Sequence, residues 1–300
     1  MIVLVLNVFS DGVYAKKDNN SMGGIKSKKT IPQLLSQKRE GVSQNISKRI
    51  NNIFFKDRDH ENGLKSEVKL RFDLLKVERE DPEFKARLKV KIHFPSLSVI
   101  IGNYRKDDLP GDDLIKDNTE ISTGIRHYLL KLKKLVLSVG YGVTIRNRKG
   151  VTFGRLRLLK HSIKIKKWKA SLHQSVFWYS DDGWGELTQM DFDRQITEKA
   201  LFRATSAGLY SEISRGFELE QSYILGYEIK RSKSNIFFRI SGFAFTEPEF
   251  DIDRYRADLV YRLQMVDPWL FFDIAPQIEF PAIRNFRGVP GIRFGLDSVF

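Results

Sequence analysis

From about residue 64 to residue 300, apolar and polar side chains alternate along the chain with a period of two. That is the repeat of an extended strand with one apolar face. Between Phe84 and Phe94, Phe84, Ala86, Leu88, Val90, Ile92 and Phe94 alternate with Lys85, Arg87, Lys89, Lys91 and His93. Tyr255, Ala257, Leu259, Tyr261 and Leu263 alternate in the same way with Arg256, Asp258, Val260, Arg262 and Gln264. Leu270 to Phe280 repeat the pattern, and a last segment sets Ile292, Phe294, Leu296 and Phe300 opposite Arg293, Gly295 and Asp297. The alternation predicts about fourteen strands, and not fewer than twelve, with no helix among them. Their expected ranges are 65–77, 84–94, 97–104, 121–132, 134–146, 151–163, 166–178, 184–195, 198–209, 214–228, 234–247, 254–266, 267–280 and 289–300.

Most of these segments reach the roughly 9 to 11 residues with which a tilted strand crosses a bilayer. Link length follows strand parity. Even-numbered strands lead into tight turns such as Pro95-Ser96, Lys164-Ile165 and Thr197-Glu198, and odd-numbered strands into longer links such as 106–120, 246–253 and 281–288. A membrane barrel has short periplasmic turns and longer outer loops, whereas a soluble sandwich has no reason to alternate them. A soluble lipocalin-like or sandwich fold is the competing reading. The dense charge on one face of the strands and the uniformly apolar other face favour the inverted arrangement, with lipid outside and water inside. Leu259 then faces lipid and Val260 the lumen. The fold class expected is all-β, an antiparallel transmembrane β-barrel.

Aromatic positions agree. Trp178 and Trp184 flank a link after an odd strand, Trp168 and Trp269 sit beside turns after even strands, and Phe300 closes the last strand. Strand ends are where interfacial aromatics belong. An aromatic C-terminus on an amphipathic strand resembles the terminal signature of Gram-negative outer-membrane β-barrel proteins, over residues 64–300. The resemblance implies a place in the bacterial outer membrane and contact with its lipid and lipopolysaccharide. It also implies recognition by the barrel-assembly machinery through the C-terminal strand.

The chain before the barrel differs. Ile2 to Phe9 form an apolar run and Val13-Tyr14-Ala15 offers a small-x-small cleavage pattern before Lys16-Lys17, so 1–15 reads as a signal peptide without a basic leading region. A buried first strand is the alternative, with Ser10-Asp11-Gly12 as its turn. Residues 16–63 carry 11 Lys/Arg against 5 Asp/Glu, a linker composition. Leu35, Val42, Ile46, Ile50 and Ile53/Phe54 recur in it at helical spacing, predicting an amphipathic helix that plugs the lumen or stays in the periplasm.

The formal net charge of +14 would suggest nucleic acid in a soluble protein, but no nucleic-acid-binding motif accompanies it. In a barrel it becomes a property of the lumen and tail. With no cysteine, and five His in no metal spacing, neither a disulfide framework nor a metal site is expected. No cofactor is implied.

The candidate chemistry is therefore lumenal. Lys69, Arg71, Lys85, Arg87, Lys89 and Lys91 should form a basic wall on the first two strands, and Asp191, Asp193, Glu218, Glu220 and Glu228 an acidic wall on the eighth and tenth, with Arg203 between. Such walls set a transverse field across a pore, or else satisfy one another in a closed lumen. His173 and Ser175 share a strand face and invite comparison with an outer-membrane phospholipase. That face also carries Lys169 and Ser171 and so points to the lumen, and no Asn follows on the next strand. Asp107, Asp108, Asp112, Asp113, Asp181 and Asp182 lack the spacing of a calcium loop and read as solvated loop residues. The function expected is a passive pore or binding barrel for small, preferably anionic solutes. A non-conducting structural or assembly barrel is the alternative, and a lipid-active enzyme the third reading.

Overall fold

The computed structural model describes residues 66–300, apart from 103–120, 133, 147, 215, 231–233 and 267–268. The expected signal peptide (1–15), the linker with its helix (16–63) and the aspartates Asp107, Asp108, Asp112 and Asp113 lie outside the described residues. The rest is fourteen strands. They are β1 (Glu67–Val77), β2 (Glu83–His93), β3 (Leu97–Gly102), β4 (Ile121–Leu132), β5 (Leu135–Arg146), β6 (Lys149–Ile165) and β7 (Trp168–Tyr179), followed by β8 (Gly183–Gln195), β9 (Ala200–Ser211), β10 (Phe217–Lys230), β11 (Ser234–Phe245), β12 (Asp251–Val266), β13 (Leu270–Pro281) and β14 (Val289–Val299). A 3-10 turn, Ala282–Arg284, interrupts the last link.

Each strand pairs antiparallel with its sequence neighbours, and β1 pairs with β14, which closes the ring. At the seam the Val68 amide donates to the Phe300 carbonyl at 3.0 Å and the Phe300 amide returns the bond to Val68 at 2.9 Å. Closure leaves no unpaired edge, which makes a sheet compatible with hydrocarbon. The even-numbered strands end in tight turns as expected. Between β6 and β7 only Lys166 and Lys167 intervene, with Lys166 at φ 54 supplying the left-handed residue of a two-residue hairpin. Two expected long links are shorter than the sequence suggested, and only 180–182 separate β7 from β8. The loop after β5 is 147–148, because Lys149 and Gly150 join the ladder opposite Arg146 and Ile145.

The two faces have the inverted polarity that a membrane requires. Leu259 is 43% exposed on the outside while its neighbour Val260, at 4%, is buried on the lumen side. Outward positions on β1, β2 and β11 are Leu74, Phe84, Leu88, Phe238 and Ile240, all exposed. Lumen-facing positions include Asp73, Lys89, Arg126, Arg157, Asp191 and Arg256, all buried. Trp178 and Trp184 are direct cross-strand partners at the long-loop end of β7 and β8. At the other end Trp168 meets Phe202 edge-on at 6.0 Å, and Trp269 stacks on Phe300 at 5.1 Å. The four Trp therefore fall into two bands, one at each rim.

The lumen is not uniformly polar. Leu201, Gly226, Phe237, Val260 and Ala275 form one register line across β9 to β13, and with Ile224 make a buried apolar cluster inside the barrel. Gly226, with no side chain of its own, lies opposite Phe237, which is only 1% exposed.

Two measurements test this architecture. An impermeant thiol reagent applied to intact cells should label a cysteine at Asp182, in the link after the odd-numbered β7, and not one at Glu198, in the link after the even-numbered β8; the reverse result would invert the barrel. Leu259→Arg should cost about 2 to 4 kcal/mol, the range for a basic side chain facing mid-bilayer lipid. Gln277→Arg, on the lumen face opposite Asp258, should cost far less in the same unfolding titration from detergent. Val260 is unsuitable for that comparison because an arginine there would overpack the apolar cluster.

Candidate lumen site

The lumen wall divides into two arcs. The sequences of β3, β4, β5, β6 and β7 contain no acidic residue, and β2 contains only Glu83 at its rim end. Along this arc Lys85, Arg87, Lys89 and Lys91 of β2 are continued by Arg126 of β4 and Arg155 and Arg157 of β6. Arg155 donates to the Tyr179 hydroxyl at 3.0 Å, and its guanidinium lies 5.4 Å from the centre of the Phe177 ring. Every lumenal carboxylate described beyond that rim stands on the other arc, β8 through β14 and β1.

In that second arc the carboxylates are clasped by arginines. Arg203 holds Asp193 with two bonds, Nε to Oδ1 at 2.5 Å and Nη2 to Oδ2 at 2.7 Å. Arg239 donates to Asp258 at 2.8 Å, and Arg256 reaches the same carboxylate and Glu279 at 3.5 and 3.7 Å. Arg262 bridges Asp273 and Asp297, the latter at 2.5 Å, with its guanidinium over Phe271. Asp191 accepts from Thr205 at 2.7 Å, Gln189 at 3.0 Å and Ser171 at 3.3 Å. Bidentate and multiply bonded pairs of this kind hold their geometry better than exposed ion pairs.

Of the expected basic wall, Lys69, Arg71, Lys85, Arg87, Lys89 and Lys91 all face the lumen. Asp73 modifies it: 3% exposed, it takes three bonds from Arg71 and one from Arg87. Asp191, Asp193, Glu218 and Glu220 also face inward, but Asp193 is already closed by Arg203. Sequence reasoning missed Asp73, Arg126, Arg155, Arg157 and the β12 to β14 cluster. In β6 the inward face carries Val151, Phe153 and Leu159 as well as the two arginines, so alternation alone could not tell its two faces apart.

His173 and Ser175 lie on the lumen face, 6% and 0% exposed. The Ser175 hydroxyl has no hydrogen-bond partner, so no bond joins it to His173. Among the described residues no group of acidic and His side chains is arranged to hold a metal.

A closed, even-numbered antiparallel barrel with apolar side chains outside and ionised ones inside is a bacterial outer-membrane β-barrel protein. No protein-family model and no curated protein matches the sequence. Among solved structures, OmpT, an outer membrane protein of Vibrio cholerae, aligns at 10% identity and a TM-score of 0.46, over 79% of this chain and 97% of that one. The CymD monoaromatic hydrocarbon channel aligns at 10% identity and 0.48, over 83% and 92%. OccK11 of Pseudomonas aeruginosa aligns at 11% and 0.47, over 78% and 95%. At these values the likeness carries no argument about solute or mechanism; the class rests on the closure and polarity of this chain's own barrel.

Asp73→Asn would leave Arg71 and Arg87 facing each other without their shared counterion. Unfolding should become easier by on the order of 1 to 3 kcal/mol, read from urea titrations of the barrel in detergent, and Arg87→Leu in the same background should restore part of the loss.

Proposed function

We propose that the barrel is a passive outer-membrane pore or binding barrel for small anionic solutes. The observation that carries this reading is the arc β3 to β7, which contributes Arg126, Arg155 and Arg157 to the lumen and contains no carboxylate. In a ring of fourteen strands β2 lies opposite β9 and β6 opposite β13. The basic arc therefore faces the arc of arginine–carboxylate pairs across the lumen, and the field that the described strands set across that space favours anions. Within a Debye length, about 8 Å at physiological ionic strength, those charges act directly on a passing ion. The barrel meets lipid and lipopolysaccharide on its outer face, and the C-terminal strand ending in Phe300 is the segment offered to the assembly machinery.

The purified protein in a planar bilayer under a salt gradient should show an anion-selective reversal potential. Lys89→Glu combined with Lys91→Glu should move that potential toward cation selectivity, and Arg148→Glu in a loop should move it less. A barrel that inserts without conducting, even after residues 16–63 are deleted, overturns the pore and leaves a structural or assembly role. Lipase activity abolished by Ser175→Ala would instead favour the enzymatic reading.

A further inference from the structure

Among the described residues, the outer surface of the barrel has a polar region that lipid does not suit. Gln174 on β7, Glu186 and Thr188 on β8, Ser206 on β9 and Gln221 on β10 all lie on the outward face. The alternate residues Leu187, Gln189, Thr205, Ala207, Glu220 and Ser222 are buried on the lumen side. Register makes the five a single patch. Gln174 pairs with Thr188, Thr188 with Gly208, Met190 with Ser206, and Ser206 with Gln221, which in turn lies opposite Gly242 of β11.

The patch reaches deep into the membrane. Thr188 is four residues along its strand from Trp184, and Gln174 four from Trp178, both in the long-loop aromatic band. At about 3.3 Å per residue and a tilt of about 40°, four residues descend about 10 Å, well inside an apolar band about 25 Å tall.

Hydrogen bonds inside the patch leave it incomplete. Gln174 and Thr188 both donate to Glu186 Oε1, at 3.0 and 3.1 Å, and Ser206 donates to Gln221 Oε1 at 2.5 Å. Among the described residues, Glu186 Oε2 accepts no bond and Gln221 Nε2 donates none. The surplus acceptor therefore sits on β8 and the surplus donor on β10, two strands or about 10 Å apart, and four residues apart along β9, where Glu186 lies opposite Tyr210 and Gln221 opposite Ser206; the strand tilt of about 40° takes back part of that offset in height. A surface with a donor and an acceptor displaced in this way complements a copy of itself turned through a two-fold axis along the membrane normal. Gly208 and Gly242 beside the polar groups let two such surfaces approach closely.

We infer that the β7 to β11 outer face is the contact between two copies of this chain in the membrane, with the Gln221 amide of each donating to Glu186 of the other. The inference is independent of what the lumen conducts.

The test uses the full chain in lipid nanodiscs and mild detergent. Wild type should have the mass of a dimer, and Gly208→Cys should form disulfide-linked dimers under mild oxidation, while Ala86→Cys, outward on β2, should not. Gln221→Leu separates the alternatives because it suits lipid better than the native residue. It should raise the dimer dissociation constant at least tenfold while the monomer keeps its heat-resistant fold; Glu186→Gln, which retains an acceptor oxygen, should weaken the dimer less. A wild type that is monomeric at every concentration overturns the inference. So does a dimer indifferent to Gln221→Leu, one that links through Ala86→Cys, or a Gly208→Cys that captures only some other protein.

Discussion

Hydrocarbon offers no partner to a peptide group, and every other feature of this protein is conditioned by that fact. Fourteen strands satisfy the requirement only because the first meets the last, with Val68 and Phe300 exchanging both of their backbone bonds. Once the sheet is closed, side-chain alternation has one workable sense: Leu259 and its kind outward, Arg256, Asp258 and Arg262 inward. Charge that would be unremarkable on a soluble surface is thereby confined to a tube and must be managed there.

The management differs around the ring. From β8 to β1 carboxylates and arginines interlock, and Asp193, Asp258 and Asp297 are each engaged by a guanidinium. From β3 to β7 the wall is built without acids at all. A wall with acids and bases interleaved evenly would be a filled structural core; a wall whose described acids stand on one side only has a direction across it. The apolar line from Leu201 to Ala275 adds a second asymmetry, a water-poor stripe winding up through the paired arc.

Much of the fold was legible because the signals for it are local. Period-two alternation, turn residues after even-numbered strands and aromatics at strand ends all act within a dozen residues, and they located fourteen strands to within a few positions. The lumen was legible only where a strand's two faces differ in kind, as in β2, where lysine and arginine alternate with apolar residues. It was not legible in β6, where Val151, Phe153 and Leu159 share a face with Arg155 and Arg157. Nor could alternation reveal that Asp73 stands between Arg71 and Arg87, or that Arg262 reaches Asp297, since those contacts depend on register between strands. The polar patch on the outer face was hidden for the same reason: Gln174, Thr188, Ser206 and Gln221 become neighbours only once four strands are aligned.

The seam has a further consequence in time. Arg71 lies opposite Asp297 in the closing pair of strands, and Arg262 draws Asp297 toward Asp273. The β1 to β14 ladder, with the charged residues that line it, joins segments more than 200 residues apart in the chain, so it carries the largest loop-closure entropy in the molecule. Every other strand pairing is between sequence neighbours and can form as the chain zips. Asp73 and Asp297 enter that pairing with guanidinium partners on their own side of it, Arg71 and Arg87 for the first and Arg262 for the second. Completion of the ring encloses those ion pairs in the lumen, which ties the end of folding to the burial of charge as well as to the pairing of the backbone.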